Sequence, residues 1–153
     1  MEKDYFKKLK TKFKLSSLED IEEKFEISIK NDSLILQTIR NEIGFKAYEL
    51  VKNLESFLFI HEGSDPEQLF TEQMIGDVKK AAHEVYKQLN QISSKASRIR
   101  FEHDRKKDAE FIKTAYKEWD SIEKKLKNVF GKIEDGWNNI ELSPNNLPES
   151  YHV

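Results

Sequence analysis

The sequence predicts an all-α protein: an elongated antiparallel bundle of three long helices, with one or two short N-terminal helices. Residues 77 to 130 contain neither glycine nor proline, and they bear two apolar stripes at alternating spacings of four and three. That is the pattern of helices packed along their length. A further stripe of the same spacing runs from Leu36 to His61. Five glycines and three prolines serve all 153 residues, too few to punctuate a run of strands.

Composition narrows the function classes. Hydrophobic residues make up 37% and charged residues 35%, too polar for a large spherical core but sufficient for the narrow core of a bundle. Ten Phe, five Tyr and two Trp argue against intrinsic disorder. A net charge of −2 gives no global pull toward nucleic acid or anionic membrane. Without cysteine there is no disulfide framework, thiol nucleophile or thiolate metal site. No apolar run approaches the roughly 18 residues of a membrane span, and no apolar signal core follows the lysine-rich N-terminus. By elimination, the expected location is cytoplasmic.

In chain order, residues 1 to 14 are basic. Lys3, Lys7, Lys8, Lys10, Lys12 and Lys14 stand against Glu2 and Asp4, while Phe6, Leu9 and Phe13 form one helical stripe. The expected structure is a short helix docked by its three apolar residues, with its lysines in water. The functional alternative is a basic arm in which Lys3, Lys7, Lys10 and Lys14 contact RNA or an anionic surface. Ser17 followed by Asp20 resembles a capping box, so a second helix starts there. Phe25, Ile27 and Ile29 alternate, as do Leu34 and Leu36, and a hairpin would explain them; an isolated hairpin is marginal in water, so a helix ending near Lys30 is expected instead. Asp32 or Ser33 caps the next.

The first long helix is expected near 33–61, with Gly44 inside it at about 1 kcal/mol relative to Ala. Such a glycine often admits a neighbouring helix. The run Phe57 to Ile60 is apolar all round, so two of its side chains leave the seam for a second neighbour or a partner. Gly63, Asp65, Pro66 and Gln68 read as a helix stop followed by a capped start, which makes the flanking helices antiparallel. The second long helix, near 66–102, carries Val78, Ala82, Val85, Leu89, Ile92, Ala96 and Ile99. The third, near 105–140, carries Ile112, Ala115, Trp119, Ile122, Leu126, Val129 and Ile133.

Between these stripes the pattern slips. The first would continue through His103, Lys106, Glu110 and Lys113, all polar. The second begins two positions out of phase, a rotation of about 200°. Slips of three or four can be absorbed by a coiled helix; a slip of two cannot. The chain is therefore expected to break near Glu102 to Asp108, with Asp104 or Asp108 as N-cap. Phe57, Tyr86, Phe111, Tyr116 and Trp119 should be substantially buried. Ser143-Pro144 ends the last helix, so residues 1–142 form one domain and 143–153 a polar, flexible tail.

Chemistry is sparse. His61, His83 and His103 lack an acidic residue three positions earlier, and the Glu149–His152 match lies in the tail without a second copy. No metal cage of the bundle type is expected, and no cofactor: the phosphate-binding glycine loops and the nucleophile elbow are absent. One constellation stands out at the break. Residues 95 to 108 hold six basic residues against three acidic ones, and three of the protein's four arginines, Arg98, Arg100 and Arg105. Arginine forks onto phosphate, and Phe101 could stack on a base. Arg98 and His103 form an Arg-x4-His that resembles the short motif of HEPN-type ribonucleases. The resemblance covers six residues, and Ile99 stands where that family favours a polar residue. It implies a dimeric, metal-independent nuclease in which Arg98 holds the scissile phosphate and His103 does acid–base work.

The expected function is a non-enzymatic protein-interaction module, an adaptor or small subunit, meeting a protein partner or a second copy through its helical seams. The alternatives are a ribonuclease of the toxin or defence type using Arg98 and His103, and an RNA or anionic-surface binder using the N-terminal lysines.

Overall fold

The structure is a computed structural model that describes residues 4–58 and 77–142. Those residues form five helices and no strand: α1 (Tyr5–Phe13), α2 (Leu18–Phe25), α3 (Ile35–Leu58), α4 (Asp77–Ile99) and α5 (Arg105–Leu142). Helices α3, α4 and α5 all pack on one another, and the α3–α4 pair is the most intimate. The expected stop and start at Gly63 to Gln68, the residues from Phe59 to Gly76 and the tail from 143 onward lie outside the described residues. So do the side chains of Phe57, Ile133 and Trp137.

The stripes face inward. Ile39, Ile43, Ala47 and Leu54 of α3 are fully buried, with Ala82, Val85 and Leu89 of α4 and Ile122 and Val129 of α5. Of the aromatics expected inside, Phe111 and Trp119 are buried, and Tyr86 and Tyr116 are half-buried. The Tyr86 hydroxyl emerges to donate to Glu55 on α3 at 2.9 Å, the usual compromise for a phenol with one wet end.

The two N-terminal helices lie on the α3–α5 side. Asp4 caps α1, accepting from the Lys7 amide at 3.1 Å, and Phe6 is buried while Leu9 and Phe13 are half-buried against the core. Ser17 caps α2, accepting from the Asp20 amide at 3.1 Å. That helix ends at Phe25, five residues before the expected Lys30. Glu26 turns into the left-handed region at φ 55° and its amide donates back to the carbonyls of Glu22 and Glu23. The Glu22 carboxylate then takes the Ile29 amide at 2.8 Å, which holds residues beyond the helix in a non-helical path with Ile29 buried. The alternation at 25, 27 and 29 thus belongs to an irregular segment, neither helix nor strand. Asp32 opens the next helix by accepting the Leu34 amide at 2.9 Å.

Two features set the spacing of the bundle. A Cβ built on Gly44 would sit 2.6 Å from the Ala96 Cβ, so α3 and α4 meet almost backbone to backbone. The phase slip between the stripes is resolved by a break, as expected. α4 ends at Ile99, and Asp104 caps α5 by accepting the Lys106 amide at 2.9 Å.

Candidate functional site

The residues singled out in the sequence cluster at the end of the bundle formed by α1 and the α4–α5 turn. Arg98, Arg100, His103 and Arg105 are exposed there, and Phe101 is 74% exposed. Arg100 holds its guanidinium 5.4 Å from the Phe101 ring, within cation–π range. His103 turns the chain at φ 49°, a left-handed conformation that few non-glycine residues adopt. Lys107 pairs with Glu102 across the turn, and the hydrogen bond that it donates to that carboxylate raises the lysine above its ordinary pKa.

A cleft of about 200 Å³ opens beside the turn, lined by Leu9 of α1, Ser33 and Gln37 at the start of α3, and His103, Arg105 and Asp108. Arg98 is not part of its lining; it lies within electrostatic range of Lys107 instead. His103 is therefore brought together with Arg105 rather than seated with Arg98 in one concave site. Lys7, Lys10 and Lys14 project from α1 into water, and Lys3 lies outside the described residues. The fold thus brings α1 and the α4–α5 turn, about 90 residues apart in sequence, to one cleft, whose lining takes Leu9 but no lysine from α1.

Sequence reading missed the fourth arginine. Arg40 is 1% exposed and Asp108 2%. Arg40 Nη1 donates to Asp108 Oδ1 at 2.6 Å, and Nη2 donates to Asn41 Oδ1 at 2.9 Å. Nε has no partner among the described residues. The signal was present: Arg40 follows buried Ile39 in the α3 stripe. Asp108 is not the N-cap but sits inside the first turn of α5, where a negative charge suits the helix dipole. Two fully desolvated charges make a structural clamp, and neither is free to act on a substrate.

A second concave feature was not legible in the sequence. α2 lies on the α3–α5 seam, with Phe25 packed 4.9 Å from the Trp119 ring and 6.4 Å, edge-on, from Tyr116. Lys24 reaches Asp120 at 2.9 Å and sits 4.3 Å over the Tyr116 ring. The hydrogen bond to Asp120 holds the Lys24 ammonium above the usual lysine pKa, outweighing the opposite effect of partial burial. Past Glu26 nothing among the described residues covers the seam. An open groove of about 590 Å³ continues there, floored by Leu50, Trp119, Leu126 and Phe130, the last 39% exposed.

No group of three or more potential metal ligands occurs among the described residues, and none of their helices is long and apolar enough to cross a membrane. Compared with protein-family models, curated proteins and solved structures, the chain matches none.

Proposed function

We propose that the protein is a non-enzymatic helix-binding module, and that the uncovered half of the α3–α5 groove is where its partner docks. One observation carries this: α2, a short amphipathic helix, fills the upper half of that seam with Ile21 and Phe25, and the lower half presents the same kind of apolar floor with nothing on it among the described residues. A groove that takes one amphipathic helix has the geometry to take another. The test compares captures from a cell lysate by the wild-type protein and by Phe130→Lys, a change at a half-exposed position outside the buried core. A partner retained by the first and lost by the second supports the assignment. Identical captures overturn it. Light scattering on the purified protein separates a foreign partner from a second copy.

A second reading is favoured by the meeting of α1 and the α4–α5 turn: a basic end that holds single-stranded nucleic acid, with Arg100 and Phe101 as a stacking platform. Binding that weakens steeply with salt and fails after Lys7→Glu and Arg105→Glu would support it. RNA degradation in EDTA that stops after His103→Ala would move it toward the nuclease reading. No binding at low salt would remove both.

A further inference from the structure

The geometry points to a specific occupant for that groove: an amphipathic helix with basic flanks, supplied by another protein and approaching α5 at Gly131. This rests on the helix-binding reading and names the partner's chemistry.

Charge comes first. Four glutamates, Glu26, Glu49, Glu123 and Glu134, line the groove against two lysines, Lys46 and Lys127. Carboxylates flanking an apolar floor steer and orient a cationic helix. The chain's own remaining segments have the wrong sign. Residues 59–76 contain four acidic residues and no Lys or Arg, and residues 143–153 contain Glu149 and no Lys or Arg.

α2 is the precedent for how the seam is used. Its Ile21 and Phe25 stand at i and i+4 and are fully buried, and Lys24 beside them is held by Asp120. Seven residues along α5, Leu126 takes the place of Trp119 and Glu123 the place of Tyr116. A helix seated one heptad below α2 therefore meets a leucine floor under its apolar pair; Glu123 offers its lysine a carboxylate where Tyr116 lies under Lys24, while Lys127 stands in the place of Asp120.

Gly131 adds an independent observation. Glycine inside a helix is unfavourable, and at Gly44 the chain accepts it where α4 presses on α3. Gly131 also stands inside a helix and lines the groove, yet a Cβ built there would meet nothing within 4 Å among the described residues. The space over Gly131 suits the close approach of a backbone from outside. From Glu123 to Glu134 the groove wall runs about 17 Å, which about 12 residues of helix would match.

The experiment pans the full-length protein against a displayed library of helices about 15 residues long. Each has a fixed Leu/Phe face and flanks randomised between Lys and Glu. Selected helices are then titrated as peptides against wild type, Gly131→Gln and Phe130→Ala, following tryptophan fluorescence. Gln is a good helix former, so Gly131→Gln fills the space without weakening the fold, which a thermal melt checks. Enrichment of lysine flanks is expected, with binding about tenfold weaker for the same face on glutamate flanks and about tenfold weaker to Gly131→Gln. Winners with acidic or mixed flanks that still lose affinity for Phe130→Ala overturn the basic occupant and leave the helix-binding groove standing. Lysine-flanked winners that bind Gly131→Gln unchanged overturn the approach at Gly131. If no helix binds, the occupant and the groove reading both fall.

Discussion

α3 makes two seams, and they are built differently. Against α4 it closes through backbone: Gly44 lies under Ala96 with no room for a methyl group. Against α5 it closes through side chains, with an ion pair at one end, α2 in the middle and an open groove beyond. Each seam has a glycine in mid-helix. Gly44 is in contact across its seam, and Gly131 faces open space among the described residues. Small residues bring α3 and α4 into close contact, although a furrow of about 420 Å³ still opens over Gly44 and Ala96, whereas the large residues of the other seam leave a furrow that takes a third helix. α2 has only eight residues and fills part of it.

The contrast can be broken most forcefully at the ion pair. Asp108→Ala leaves the Arg40 guanidinium buried without a counter-charge and should destabilise the protein by about 3–5 kcal/mol in chemical denaturation. Replacing both, as Arg40→Met with Asp108→Leu, should recover most of that loss. If the single change is harmless, the pair does not clamp the seam. Next comes Gly44→Ala. The added methyl meets another methyl carbon rather than a flexible chain end, so the helices must part. A loss of about 1–2 kcal/mol is expected after the gain in helix propensity is counted. Adding Ala96→Gly should return part of it, a coupling that a double-mutant cycle reads directly. The same substitution in the other seam should go the opposite way. Gly131→Ala should raise stability by about 0.5–1 kcal/mol, because nothing opposes the better helix former. A loss there would mean that the space is already occupied.

The smallest effect belongs to Lys24. Its partner Asp120 is 75% exposed, so Lys24→Met should change stability by less than about 1 kcal/mol. The pH dependence has a definite sign. The folded-state pKa is raised, so the contribution is complete below the usual lysine pKa of about 10.4 and fades as pH climbs through the higher folded value. The difference between wild type and Lys24→Met should therefore shrink only in strongly alkaline solution.

How far all this was legible depended on distance along the chain. The two-residue phase slip located the α4–α5 turn because helical periodicity is a local property, and Asp104 proved to be the cap for the same reason. Phe6 and Ser17 were likewise read from their neighbours. The end of α2 was misjudged because a side chain, Glu22, captures the Ile29 amide and competes with further helix. The Arg40–Asp108 pair joins positions 68 apart, and no pattern within either helix reveals a partner at that range. The groove was hidden for a related reason: its existence depends on where α2 stops relative to α3 and α5. The basic residues were visible one by one, but the meeting of α1 with the α4–α5 turn at one cleft was not.

The Arg40–Asp108 contact also settles a question of alignment. Apolar stripes with a repeat of seven are nearly indifferent to sliding, because each hydrophobic residue finds a similar neighbour one repeat away. A charge is not indifferent. If α5 slipped past α3 by one turn, about 5.4 Å, Arg40 would remain buried while its carboxylate moved out of reach. One ion pair near the end of the seam therefore acts as a vernier for the whole bundle. It fixes where Leu50 falls along α5, and so keeps the groove in register from end to end.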